Sequence, residues 1–586
     1  MLAPLVETES YAHGGDRVAA ALAAHGVCFL FTLCGGHIAP ILVAAKARGI
    51  RVVDARDEAT AVFAADAVAR LTGKPGVAAV TAGPGVTNAL TALENAKLAQ
   101  SPMLLIGGAA PTALQGRGAL QDIDQGPVVA PFVKWRKRVR RLRDLAPAIV
   151  EGLAVAQAGV PGPVFVECPI DLLYDEKTIR GWYAEAAGKG QSFGDRLLGL
   201  YLERHVARLF RGAAAPLPKP RVIATPVATE AQVESAAAHL TAAARPLVAV
   251  GSQALAGADD PSRLAAALTR LGAPVYLSGM ARGLLGRRHP LQRLHQRRLA
   301  LREADCVLLA GAPCDFRLDY GRHVRRSATL IAANRSAREA RLNRRPKVAA
   351  IGDAGQFLVR LAERVSGLDE ERKDWLDSLA ARDAAREREI DARAQAAGEF
   401  VNPIALLRAI DAAAADDATF VADGGDFVAT ASYALRPRGP RRWLDPGVFG
   451  TLGVGAGFAL AAALERPQSE TWILFGDGAF GWSLAEFDSF ARHRLPVIAV
   501  VGNDAGWSQI AREQVKLLGD DVGVTLSRTA YHEAAAALGA EGILVKSGAE
   551  IGEALQRAQA AARAGRAALV NVWLDRSDFR DGSISM

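Results

Sequence analysis

Two acidic residues lie 27 positions apart (504 − 477 = 27), each just past a short apolar run that ends in glycine. Residues 471–475 lead into Gly476-Asp477-Gly478-Ala479, and residues 497–501 lead into Gly502-Asn503-Asp504-Ala505-Gly506. One strand–helix–strand unit spans such a gap. Both acids can then stand at the C-terminal ends of neighbouring parallel strands, the edge where α/β sheets bind ligands. Two carboxylates, a main-chain carbonyl and two phosphate oxygens form an all-oxygen shell suited to Mg²⁺. Glycines after a strand let the backbone approach phosphate, and the helix expected over 483–492 adds free N–H groups. A lone G-D-G also makes ordinary turns. The second acid at this spacing favours the ligand site.

The G-D-G…N-D pattern resembles the signature of the thiamine-diphosphate-dependent enzymes, G-D-G followed about 27 residues later by N-N. The resemblance implies metal ligation by Asp477, Asp504 and the Gly506 carbonyl, with Gly476, Gly478, Ala479 and Asn503 lining the cofactor. Asp504 replaces the commoner Asn, and oxygen ligation survives the change. Asp54-Ala55-Arg56-Asp57-Glu58 resembles the family's R-H-E segment. Taken alone, Glu58 is also a favourable acid at a helix N-terminus. The family role is a proton shared with the aminopyrimidine N1′, which needs a desolvated carboxyl. Phe449-Gly450-Thr451-Leu452-Gly453 resembles the loop that accepts the cofactor's amine at the Gly450 carbonyl and bends the cofactor over Leu452. Gly425 and Asp426 stand where relatives meet the diphosphate; an acid there is expected to offer backbone contact only. His37, after Gly35-Gly36, is either a proton relay or a structural hydrogen-bond partner. Gln121 either faces the active centre or is a surface turn residue.

These motifs follow family order over roughly residues 11–586. Gly424-Gly425-Asp426-Phe427-Val428, Arg441-Arg442-Trp443-Leu444-Asp445-Pro446-Gly447 and Asp578-Phe579-Arg580-Asp581-Gly582 resemble the acetolactate-synthase-like branch of animals. That branch implies cleavage of a 2-hydroxyacyl-CoA to formyl-CoA and an aldehyde. The alternatives are an acetohydroxyacid synthase acting on pyruvate, with or without FAD, and a non-catalytic coenzyme A- or nucleotide-binding protein. FAD or ADP in the central domain is not favoured, because no G-x-G-x-x-G with a following acid occurs. Arg282, Arg287, Arg288 and Arg317 are either adenosine-phosphate contacts or solvated surface. The family pattern further implies a homodimer as the minimum and a homotetramer as the expected state.

The elements that must carry these residues are legible as uncharged β-like runs alternating with Ala-rich helical stretches. This is the pattern of buried parallel sheets. The expectation is an α/β protein of three doubly wound parallel-sheet domains, over 10–185, 225–365 and 395–575. A connector over 186–224 and an exposed linker helix over 366–394 join them, and a tail over 576–586 is a possible lid. Pro147 is expected at the first position of a helix. The 586 residues are 50% hydrophobic and 23% charged, which excludes a largely disordered chain. A net charge of +8 is mild at this length. The basic run 134–143 is expected to be a solvated strand edge or helix face, with coenzyme A phosphates as the rival use and no nucleic-acid partner. Five cysteines without C-x-x-C spacing, and residues 1–10 without a signal pattern, suggest a cytoplasmic protein with no membrane partner. The animal branch's N-terminal membrane segment is missing here, which suggests a soluble, bacterial-type enzyme.

Overall fold

A computed structural model of the chain describes residues 13–186, 192–213, 215–258, 260–365 and 372–581. It divides into two compact units at residues 224 and 225. The first holds β1 (Phe29–Thr32), β2 (Arg51–Asp54), β3 (Gly76–Val80), β4 (Met103–Ala109), β5 (Trp135–Arg138) and β6 (Pro163–Pro169), in the order β2-β1-β3-β4-β6-β5. All of its pairings are parallel. The central β4 and β6 are buried along their whole length. That matches their lack of charge, apart from Glu167, and explains why they show no alternation. Alternate residues such as Val77, Ala79, Leu104, Ile106, Val164 and Val166 share one core with the helices Gly14–Ala24 and Leu145–Gln157. Burying each Val or Leu there contributes roughly 1.5–3 kcal/mol.

The basic run forms the edge strand β5 with every second residue exposed, as expected. Pro147 is the third residue of its helix, not the first: Leu145 and Ala146 precede it, and a missing N–H is still harmless in the first turn. The connector is no free linker. Its helix, Phe193–Leu209, places Leu202, Val206 and Leu209 in the first unit's core.

The second unit contains two sheets. β7 (Pro246–Val250), β8 (Val275–Leu277), β9 (Gln292–Arg293), β10 (Cys306–Ala310), β11 (Thr329–Asn334) and β12 (Val348–Ile351) run in the order β12-β11-β10-β7-β8-β9. β13 (Thr419–Ala422), β14 (Trp443–Leu444), β15 (Thr471–Gly476), β16 (Val497–Asn503), β17 (Glu541–Val545) and β18 (Ala568–Trp573) run in the order β14-β13-β15-β16-β18-β17. These pairings are also parallel. The three expected sheets are therefore present, the last two within one unit.

The helix Lys373–Ala394 was expected to be an exposed linker, and its charges prove to be engaged. Trp375 donates to the Pro246 carbonyl at 2.9 Å, and Arg382 grips Glu303 at 2.9 and 2.8 Å. Asp383 accepts from the Leu294 and His295 amides at 2.8 and 3.0 Å. Glu387 meets His295, Arg408 and Arg436. The helix straps the two sheets of its unit together. The tail is likewise tied down as far as it is described: Phe579 packs with Ile390 and Ile404, and Arg512 donates to the Arg580 carbonyl at 3.3 Å. Residues 582–586, with the proposed lid, lie outside the described residues.

Candidate functional site

In the second unit, β15 and β16 pair so that Gly476 lies opposite Gly502. The chain leaves both strands at this level, which delivers Asp477 and Asp504 to one sheet edge. Asp477 is 2% exposed. Its Oδ1 accepts from the Gly478 amide at 2.8 Å and its Oδ2 from the Gly506 amide at 3.1 Å. Burial, and then the like charge of Asp504, push its carboxyl up to about 7. Asp504 is also raised, by burial and then by the neighbouring Asp426, against the Ser508 hydroxyl and the Arg576 guanidinium. Two acids that disfavour each other's ionisation at a strand edge are the pattern of a cation site. Among the described residues no three His, Cys, Asp or Glu side chains converge as a metal cage. Asp477, Asp504 and the Gly506 carbonyl would offer two carboxylates plus main-chain oxygen, a hard set that fits Mg²⁺ when phosphate oxygens complete it.

The turn that carries the second acid is tightly specified. Ala505 adopts a left-handed φ of +55°, and Gly506 bridges to Thr525. Asn503 was expected beside the cofactor, but its side chain is wholly buried and used internally. It accepts from the Ala505 amide at 3.3 Å and donates to Asn571 at 3.2 Å, which makes it a turn-setting residue. Trp507 lies over Gly478 so closely that a Cβ there would sit 2.6 Å from its ring. Ala479 is buried behind them.

A second glycine-rich edge lies alongside. The Gly424 carbonyl accepts from the Gly476 amide at 3.3 Å, and Gly425, with φ +105°, caps the helix Asp426–Ala434 with no side chain on its first N–H groups. Bare amides at a helix start beside Gly476 form a cradle of the kind that accepts phosphate. A Cβ on Gly424 would fall 2.2 Å from Leu452 Cδ2, so glycine is what admits the Leu452 wedge. Gly450, at φ +67°, stands exposed at the head of that loop. The electrostatic oddity of Asp426 is resolved by an ion pair with Arg512, which also reaches Asp581 at 3.3 Å.

Sequence reasoning missed Asp423. It is 1% exposed and accepts the Gly453 and Gly455 amides at 2.9 and 2.8 Å, clamping the Leu452 loop to the end of β13. Burial pushes its carboxyl up to about 7. Its signal was available: it follows β13 as Asp477 follows β15.

The first unit holds Glu58 at the start of the helix Glu58–Thr72, after β2. Asp57 caps that helix by accepting from the Ala59 amide at 2.6 Å, an arrangement worth about 1 kcal/mol. Glu58 is only 6% exposed, so the reading of a solvated helix-start acid is wrong. Its Oε2 accepts from Asn88 Nδ2 at 3.1 Å, a partner that sequence reasoning did not name. His37 is half-buried; its Nδ1 meets Thr81 Oγ1 at 3.2 Å, and burial holds the ring below the usual imidazole range, hence neutral. Gln121 takes a left-handed φ of +60° and lines a cavity of about 350 Å³ with Gln125, Arg138 and Glu167. It is neither a plain surface turn residue nor bonded to Glu58.

Of the central arginines, Arg282 and Arg317 line one cavity of about 440 Å³, in which Arg282 donates to the Ser432 carbonyl and Arg317 pairs with Asp315. Arg287 and Arg288 line a different cleft, where Arg287 reaches Asp411 and Asp416. The four do not converge.

Residues 12–128, 233–361 and 423–572 match the models described as the N-terminal TPP binding domain, the central domain and the C-terminal TPP binding domain of thiamine pyrophosphate enzymes. The chain is 50% identical to 2-hydroxyacyl-CoA lyase 2 of Bos taurus, over 99% of this chain and 93% of that protein. It is 34% identical to the acetolactate synthase large subunit of Mycobacterium tuberculosis, over 96% of each. Among solved structures, a thiamine diphosphate-dependent 4-hydroxybenzoylformate decarboxylase of Rhodococcus jostii superposes with a TM-score of 0.76 at 21% identity, covering 97% of this chain and all of that one; it shares the fold. No described helix is long and apolar enough to cross a membrane.

Proposed function

The chain belongs to the thiamine pyrophosphate enzymes and is a thiamine-diphosphate-dependent carbon–carbon lyase, and on that premise we propose that it cleaves a 2-hydroxyacyl-CoA to formyl-CoA and an aldehyde one carbon shorter. The observation that carries the substrate is the 50% identity, over nearly the whole chain, to proteins named for that activity, against 34% to an acetolactate synthase. Thiamine diphosphate, when bound, supplies an electron sink for the bond that breaks.

The chain's own residues have distinct tasks. Asp477, Asp504 and the Gly506 carbonyl would hold Mg²⁺, and the uncapped amides at the start of the helix Asp426–Ala434, beside Gly476, would take the diphosphate. Leu452, braced by Gly424 and by the Asp423 clamp, fixes the shape of the site. Glu58 is shielded from water, and Asn88 anchors one of its oxygens, which leaves the other to face the aminopyrimidine and exchange a proton with it. His37 is a neutral donor or acceptor. Its Nδ1 is taken by Thr81, which leaves Nε2 for substrate. The minimum assembly in this proposal is a homodimer, with a tetramer expected, in the cytoplasm. The five free cysteines are consistent with that compartment.

The test is to incubate the purified protein with thiamine diphosphate, Mg²⁺ and a 2-hydroxyacyl-CoA, with pyruvate in parallel. Formyl-CoA and the shortened aldehyde are expected. Acetolactate from pyruvate without formyl-CoA would replace this function by the acetohydroxyacid synthase.

A further inference from the structure

The helix Phe193–Leu209 carries two faces that a globular connector does not need. One is accounted for: Leu202, Val206 and Leu209 lie in the first unit's core. On the other side, Phe193, Leu197, Leu200 and Tyr201 are 78, 54, 47 and 54% exposed. Their spacing, i, i+4, i+7 and i+8, puts them on one stripe. The stripe then continues as Arg204 and Arg208, both exposed, at i+11 and i+15, and the exposed Arg211 follows two residues past the helix end. None of these three arginines makes an ion pair among the described residues, and the stripe carries no acid. Seventeen residues span roughly 25 Å, with four apolar side chains toward one end of the line and two arginines toward the other.

That division names the occupant. A second copy of this helix docked antiparallel would set its arginines on the apolar half, burying charge against hydrocarbon; docked parallel, it would set arginine on arginine. A bilayer surface has both layers the stripe needs: acyl chains for Phe193, Leu197, Leu200 and Tyr201, and anionic headgroups for the arginines. We propose that this helix docks the protein peripherally on membranes rich in anionic phospholipid. This departs from the expectation of no membrane partner, and no described helix is long and apolar enough to cross the bilayer.

The experiment is co-sedimentation of the full chain with vesicles of phosphatidylcholine alone and of phosphatidylcholine with phosphatidylserine at about 3:1. Binding is expected to the second composition only, and to fall steeply with added salt. Arg204→Gln/Arg208→Gln/Arg211→Gln should weaken partitioning by roughly fivefold per arginine. Leu197→Glu/Leu200→Glu should abolish it. Lyase turnover should be unchanged in both variants, and it is scored separately, so a failure of the substrate assignment leaves the vesicle result intact. Wild-type protein that ignores anionic vesicles would overturn the proposal, and so would binding that survives both variants. A fall in solution mass of the Leu197/Leu200 variant would overturn it too, in favour of an interface between copies.

Discussion

Two carboxylate groups in the second unit, one around the half-buried Glu387 and one around the buried Asp477, have opposite electrostatics. Around Glu387, burial alone would raise the acid, but the His295 ring and the Arg436 and Arg408 guanidiniums hold it down at about 2. Around Asp477 burial again raises the acid, and the nearest charge is another carboxylate, so it stands at about 7. The first group is complete within the chain and straps two sheets together. The second sets acid beside acid, and in the proposed function Mg²⁺ would complete it. Buried charge that the fold itself satisfies marks architecture, and buried charge that it leaves unsatisfied marks a site.

The largest effects should come from the unsatisfied side. Asp477→Ala is expected to end Mg²⁺-dependent cofactor retention and to lower turnover by about a thousandfold or more, as befits several kcal/mol of metal chemistry. Cofactor that still copurifies with this variant would refute the metal assignment. Glu58→Gln should keep the fold and diphosphate binding yet cost about two to four orders of magnitude in turnover. Activity near wild type would remove Glu58 from the mechanism. The satisfied side should respond in stability alone. Glu387→Ala removes a charge partner from Arg436 and Arg408, of which Arg408 keeps Asp391 at 2.9 Å, and should cost about 1.5–3 kcal/mol by denaturant titration, with cofactor affinity per folded molecule unchanged. A variant as stable as wild type would mean that the strap is not held there.

Much of this contrast was legible in the chain. Strands such as β4, β15 and β16 announced themselves as uncharged runs ending in glycine, because a parallel strand buried on both faces admits little else. Asp477 and Asp504 were legible because one crossover fixes the distance between neighbouring strand ends. The Glu387 knot was not. Its partners His295, Arg408 and Arg436 come from three remote segments, and the helix Lys373–Ala394 looks from its composition like any solvated charged helix. Asn88, thirty residues from Glu58, was hidden in the same way by tertiary proximity. Asn503 misled for the opposite reason: a polar residue at the right motif position was spent inside the fold on Asn571 and Ala505.

The smallest predicted effect separates the two groups in one titration. Asp477 has a folded-state pKa raised from 3.8 to about 7. Between those values the folded protein keeps a proton that the unfolded chain has released. The contribution of Asp477 to the stability of the cofactor-free protein should therefore fall as pH rises, by at most about 1.4 kcal/mol per unit, and level off above 7. Glu387 runs the other way, since its pKa is lowered from 4.5 to about 2. Its contribution is complete above 4.5 and is lost only as pH falls through 2, so it is silent between 5 and 8. Mg²⁺ must displace the Asp477 proton below 7 but not above it. The rise in melting temperature on adding Mg²⁺ and thiamine diphosphate should therefore be larger at pH 8 than at pH 6. Asp423, also raised to about 7 but only bonded to the Gly453 and Gly455 amides, adds a slope of the same sign that Mg²⁺ does not directly remove. Asp477→Asn should accordingly reduce the slope without abolishing it, and weaken the pH dependence of the Mg²⁺ effect to the part that Asp504 carries. An equal Mg²⁺ shift at both pH values in the wild type would show that the edge acids are already ionised, and the distinction between the two groups would collapse.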